Sequence, residues 1–308
     1  MNNLKKLGLT ALAGSLVAST AFAGSLDVTG TAKVKYQSKG SERVTGNPWS
    51  DATTITFSGS GDLDNGMSIA YQYTMTNAAF SSSSLKLDMG DSGTLSLSNG
   101  VATTGIQAYQ DKMPTAGEQV WDDLDGQANG VAVMSTANTI GYASSMGGIG
   151  ISAAYNKSRA GGHGSSKSLV LSSADMMDGV EFGIGMGDES TGAHVTTDST
   201  TVYGTYTMGS ITAGLQLTQL DKSAANTDQD RTHFSVSMAI NENLSASLGQ
   251  STVEFENPTK DDQENVGFAV SYTMGSMTIA AFSNSESSSG GTAGTDDSVS
   301  EVSVAFAF

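Results

Sequence analysis

The stretch NGVATTGIQAYQDKMPTAGEQVWDDLDGQANGVAVMS, residues 99–135, gathers carboxylates with little basic company. It carries Asp111, Glu118, Asp122, Asp123 and Asp125 against a single Lys112, together with Tyr109, Pro114 and Trp121. Clustered carboxylates can attract mobile cations, or offer hard oxygen ligands to Ca²⁺ at Asp122, Asp123 and Asp125. The helix-loop calcium pattern is incomplete, however, and acidic pairs recur at Asp261-Asp262 and Asp296-Asp297, so solvated surface charge is the competing reading of the metal idea. A connection this long is usually functional or disordered. Its tryptophan favours order.

Covalent chemistry finds less support. There are three histidines, His163, His194 and His233, and the first two sit among Gly, Ser and Thr. No GxSxG elbow and no HExxH zinc pair occurs. Catalysis needs a nucleophile or water beside a base, and nothing here assembles one, so the chain is not expected to be an enzyme and no cofactor is required. With no cysteine, disulfides and thiolate metal sites are excluded. Fourteen basic against 31 acidic residues, a formal net charge of −17, argue against a nucleic-acid partner, because phosphate recognition needs Lys and Arg patches.

The elements that must position these residues are strands. Residues 1–23, MNNLKKLGLTALAGSLVASTAFA, have a cationic start, a short apolar run and an Ala-Phe-Ala end, the grammar of an export leader. The mature domain then spans 24–308, with no run of about 18 apolar residues that could form a spanning helix. From Ser25 onward, apolar residues recur at every second position. Leu26, Val28, Ala32, Val34 and Tyr36 share one face, and Asp27, Thr29, Thr31, Lys33 and Lys35 the other. A period of two is the signature of a β-strand. Sixteen such segments begin near 25, 50, 67, 80, 93, 136, 148, 167, 179, 200, 210, 230, 243, 264, 276 and 297.

Short turns such as DLDNG (62–66), SMGG (145–148) and MGS (208–210 and 274–276) alternate with longer polar loops near 38–49, 99–135, 157–166, 188–199, 221–229, 256–263 and 285–296. Only the connection at 77–79 breaks that rule. All short turns therefore fall at one end of an up-and-down sheet, the asymmetry of a transmembrane β-barrel. The polar face is mostly small Ser, Thr and Gly, and the last strand, EVSVAFAF, ends on the aromatic Phe308. A soluble sandwich is disfavoured, since it would concentrate its apolar face instead of spreading it over every strand. Sixteen strands enclose a water-filled interior.

The whole mature chain resembles a general porin of the Gram-negative outer membrane, of the short sixteen-stranded alphaproteobacterial type. The likeness rests on the leader, the alternating segments, the long third outer loop and Phe308. The fold it implies is all-β, a sixteen-stranded antiparallel barrel with the third loop inserted. The resemblance implies passive diffusion of small hydrophilic solutes and ions, a homotrimer, contact with outer-membrane lipid and lipopolysaccharide, and Phe308 as a signal to the barrel-assembly machinery. A substrate-specific channel and a non-conducting surface barrel or adhesin are the competing functions. With the loop inserted, Asp111, Glu118, Asp122, Asp123 and Asp125 would line the constriction. Strand parity would turn Lys33, Lys35, Lys86 and Arg231 toward it from the wall. Acid facing base sets a transverse field across the water, and the acidic balance suggests cation preference.

Overall fold

The computed structural model describes residues 26–40, 46–101, 103–127, 130–131, 136–157, 164–192 and 195–308. The leader, His163 and His194 lie outside them. Sixteen strands follow one another: β1 Asp27–Lys39, β2 Trp49–Asp62, β3 Ser68–Thr76, β4 Ala79–Asp88, β5 Thr94–Asn99, β6 Thr139–Met146, β7 Ile149–Lys157, β8 Ser165–Met177, β9 Val180–Gly192, β10 Val195–Met208, β11 Ile211–Lys222, β12 Gln229–Ala239, β13 Leu244–Phe255, β14 Gln263–Met274, β15 Met277–Ser287 and β16 Asp297–Ala307. Each pairs antiparallel with the next, and β1 pairs with β16 to close the barrel. Closure leaves no strand edge, so the spanning backbone is hydrogen-bonded within the sheet where lipid offers no partner.

Side-chain alternation sorts the two faces. Leu26, Val34, Leu217, Phe268, Val302 and Phe306 are exposed on the outside, while Ser199, Thr201, Ser251, Asn265 and Ser303 are buried on the inside. The apolar face of the last strand thus looks outward. Phe308 completes the seam, since its N–H donates to Gly30 O at 2.9 Å and its carbonyl accepts from Gly30 N–H at 2.8 Å. The ring lies over Gly30, where a Cβ would stand 2.7 Å from the ring's Cζ. Only glycine lets the terminal aromatic cover that spot.

The turns follow their residues. Gly209 and Gly275 take φ of 61° and 60° in the two Met-Gly-Ser turns, a conformation glycine adopts without steric cost. At the one short outer connection, Asn77 and Ala78 take φ of 50° and 61°, the two positive angles of a tight hairpin.

The barrel is uneven in height. Strands β3 to β7 have 6–10 residues and all the others 11–14. One boundary departs clearly from the sequence expectation. The outer loop expected over 188–199 is largely strand, because β9 runs to Gly192 and β10 starts at Val195. Asp188 pairs with Asp198, and Glu189 with Thr197. The polarity that suggested a loop marks strand that rises beyond the hydrocarbon, where charge is tolerated on the outer face. The remaining strands begin within about three residues of expectation, as a reading from periodicity allows.

Candidate pore constriction

The segment between β5 and β6 lies along the inner wall and is fastened strand by strand. Gly105 N–H donates to Ser152 Oγ of β7 at 3.0 Å, and Ile106 N–H to Ser168 Oγ of β8 at 3.1 Å. On β11, Gln216 Nε2 donates to Tyr109 O at 2.8 Å; on β12, Ser235 Oγ donates to Pro114 O at 2.8 Å. Ser247 Oγ of β13 accepts from Ala116 N–H at 2.9 Å, and Asn284 Nδ2 of β15 donates to Gln119 O at 2.9 Å. Asp125 N–H then reaches Asp297 Oδ2 of β16 at 2.9 Å. The return passes Gln263 of β14, which accepts Gln127 N–H and donates to Gln127 O.

An apolar spine joins these polar fastenings. Ile106, Tyr109, Met113 and Val131 pack with Val170 and Tyr203 of the wall, and Ala116 and Leu124 pack on Ala269, Phe282 and Val299. Trp121 stacks edge-on against His233, ring centroids 4.5 Å apart, and both are buried. Glycines on the inward face make the room. A Cβ at Gly249 would meet Val120 Cγ1 at 2.7 Å; one at Gly214 would meet Pro114 Cδ at 2.6 Å, and one at Gly185 would meet Ile106 Cγ1 at 3.1 Å. Glycine inside a strand often marks such a close approach. That was the signal in the sequence for this seat, and the alternation reading passed over it.

The far end of the loop presents its charge to β1. Glu118 Oε1 lies 3.9 Å from Lys33 Nζ, and Asp123 Oδ2 accepts from Gln37 Nε2 at 2.9 Å. Asp122 is turned back, its Oδ2 accepting Gln119 N–H at 2.6 Å. Burial pushes its pKa up to about 7; the bond from Gln119 opposes the rise, and the charges of Glu118, Asp111 and Asp123 add to it. Burial also raises the Asp111 carboxyl above its usual range. Lys112, the segment's one cation, is held away from this group. Its Nζ is 3.0 Å from Glu181 Oε1 on β9 and lies over the rings of Tyr109 and Tyr203.

The wall cations divide. Lys33 and Lys35 face inward near the loop end, and Glu301 of β16 lies between them, its Oε1 2.7 Å from Lys33 Nζ and its Oε2 2.9 Å from Lys35 Nζ. The sequence reading did not include Glu301 in this group. Lys86 is inward too, opposite Ser96 of β5, but two residues from the β4 end beside a short turn, and the structure does not bring it to the loop carboxylates. Arg231 departs from expectation as well. It faces inward but is 7% exposed, because the loop covers it; it donates to Gln229 Oε1 at 2.8 Å and to Val131 O at 3.5 Å. It is part of the loop's seat and not of an open wall.

The three carboxylates of the calcium expectation take separate partners. Asp122 caps Gln119, Asp123 takes Gln37, and Asp125 is held through its backbone by Asp297. Among the described residues, no three carboxylates or histidines converge as a metal set. Asp123 and Asp125 tie the loop to β1 and β16, while Asp122 binds within the loop itself.

A family model described as Gram-negative porin matches residues 8–308. Solved structures share the architecture at low identity. A porin refined at 1.8 Å superposes with a TM-score of 0.72 and 14% identity, covering 92% of this chain and 100% of that one. An anion-selective porin from Comamonas acidovorans gives 0.68 and 13%, covering 92% and 100%. The Vibrio cholerae outer-membrane protein OmpT, in its trimer form, gives 0.67 and 11%, covering 93% and 100%. No curated protein sequence matches the chain.

Proposed function

This chain belongs to the Gram-negative porin family, an integral outer-membrane β-barrel, and on that premise we propose that its channel passes small hydrophilic solutes and ions by diffusion with a preference for cations. The observation that carries this reading is the imbalance at the loop end. Glu118 and Asp123 present their carboxylates to β1 at the loop end, with Asp111 and Asp122 in the same electrostatic group. Facing them on the wall are Lys33 and Lys35, which already share Glu301. Fixed negative charge in a narrow aqueous passage concentrates mobile cations and repels anions. The total charge of the chain matters less than this local surplus.

The reversal potential of purified protein in a planar bilayer, under a KCl gradient, tests it. Potassium is expected to carry more current than chloride, and Glu118→Gln with Asp123→Asn should move the potential toward zero. A chloride-favouring potential in the unmodified protein would reject the preference. A current that grows linearly with solute concentration would fit a general pore, whereas saturation and block by one solute would indicate a dedicated channel.

The homotrimer is part of the same proposal. The trimer form of the Vibrio cholerae neighbour supports it, as does the low side of this barrel, where Tyr71, Phe80, Leu85 and Leu97 are exposed above a connection of only Asn77 and Ala78. Unheated gel electrophoresis should show a band at three times the protomer mass. Recognition of Phe308 by the assembly machinery, export through the 1–23 leader, and contact with lipopolysaccharide belong to this proposal too.

A further inference from the structure

Glu181 is the second residue of β9 and faces inward, opposite Thr205 of β10. Tyr203 stands opposite Gly183, the next inward position along the strand. A Cβ at Gly183 would come within 2.5 Å of Tyr203 Cε1 and 2.8 Å of the Tyr109 hydroxyl, so the bare backbone there lets both rings settle on the wall. The two rings meet edge to face, their centroids 4.8 Å apart. The Tyr203 hydroxyl donates to Glu181 Oε1 at 2.6 Å, and Lys112 Nζ donates to the same oxygen at 3.0 Å. The ammonium also lies 5.2 Å from the Tyr203 centroid and 5.6 Å from that of Tyr109, within reach of the attraction between a cation and an aromatic face. Wall and loop together thus build a cation seat from two rings and a carboxylate, and Lys112 of the loop fills it. The lysine and glutamate side chains are 31% and 40% exposed, so the seat opens to the lumen.

We propose that Glu181 is a positioning residue of the channel: through Lys112 it clamps the first half of the inserted loop to β9 and so holds the passage at one width. This rests on the channel reading above. The hydrogen bonds that seat Gly105, Ile106, Tyr109, Pro114 and Ala116 join neutral groups. They fix where the loop backbone lies against the wall. The ion pair stands at the lumen edge instead, where water competes for the loop. Without the carboxylate the ammonium keeps its rings but loses its anion. A half-buried charge left unpaired is better solvated when the loop lifts away, so the loss favours the lifted loop.

Glu181→Gln keeps an acceptor for Tyr203 while removing the charge. Trypsin cleavage after Lys112 is expected to quicken about fivefold at 0.1 M KCl, the scale of one part-exposed ion pair. At 1 M KCl, where screening shortens to about 3 Å, the rates of the variant and the unmodified protein should converge. Lys112→Arg preserves both the charge and the cleavage site and should stay near the unmodified rate. In single-channel records Glu181→Gln should raise the open-channel noise. Adding Lys112→Met should lower it again, because no stranded charge remains and an apolar chain still covers the rings. A purely steric role for Glu181 would neither fade with salt nor be mended by changing its partner. Heat-modifiable gel mobility reports whether each variant forms the barrel. Equal cleavage rates in folded Glu181→Gln, a rate difference that salt leaves unchanged, or a double variant as noisy as Glu181→Gln overturns the proposal. Absence of any conductance from the unmodified protein would overturn the channel reading, and the cleavage rates would still decide whether Glu181 holds the loop.

Discussion

The inward face of β2 to β4 and that of β9 to β16 look alike in sequence and behave oppositely. On the first, Thr54, Thr56, Ser58, Gln72 and Thr74 share the face of Lys33 and Lys35. These side chains are exposed or half-exposed, and Thr56 and Thr74 pair their hydroxyls at 3.1 Å. On the second, Gln216, Gln263, Asn265 and Asn284 are at most 2% exposed, and three of the four donate to carbonyls of the loop. The first wall is wetted by the channel. The second is a dry seat whose amides replace water for a buried segment of backbone, as a buried polar group requires. One barrel therefore uses polar inward residues for two purposes. A glutamine on the inner face signals the lumen or a seat according to what lies over it.

The largest test of this contrast is Trp121→Ala. The indole is buried against His233, and removing a buried aromatic side chain typically costs about 3–5 kcal/mol. That loss falls on the docking of the loop, since the barrel's backbone ladder is untouched. Single-channel steps should become noisy and variable, and trypsin should cut after Lys112 quickly, while heat-modifiable mobility stays normal. Quiet, uniform steps with a protected Lys112 would mean that the seat does not depend on its apolar spine. Next in size is Gly249→Val, which pushes against Val120 and should cost about 1–3 kcal/mol as overpacking. The same side chain placed on the wetted wall by Ser58→Val should leave conductance noise unchanged, because nothing has to be displaced there. Equal responses at the two sites would erase the distinction between them.

Much of the frame was legible from residue types alone. The period of two fixed the strands, the alternation of short and long connections fixed the up-and-down order, and Phe308 fell on the outward parity as its alternation demanded. The limits have physical causes. A strand that outgrows the hydrocarbon becomes polar on both faces, so Asp188 and Asp198 read as loop although they are paired. Arg231 reads as a lumen cation because parity states only which side a residue faces, and the loop that covers it comes from another part of the chain. Spacing along the Asp122-Asp123-Leu124-Asp125 run likewise does not reveal that Gln119, Gln37 and Asp297 each take one member. Gly185, Gly214 and Gly249 were the overlooked sign, for inward glycines far from any turn have little reason to exist unless something packs on them.

The smallest expected effect concerns pH and separates the loop's wet side from its dry one. Asp122 holds its proton up to about pH 7 when the loop is seated, whereas an unseated loop would release it near the ordinary carboxyl value of about 3.9. Between those values the seated form binds more protons, so seating is strongest below about pH 4, weakens as pH rises toward 7, and changes little above. Over the upper part of that range the ionising carboxyl adds negative charge beside Glu118 and Asp123. The potassium-to-chloride ratio should therefore climb between about pH 6 and 8, by roughly the effect of a fraction of a unit charge under screening. In Asp122→Asn the ratio should be flat across the same range and stay at the low-pH value. A rise that persists in that variant would assign the titration to another group and make Asp122 part of the dry seat alone.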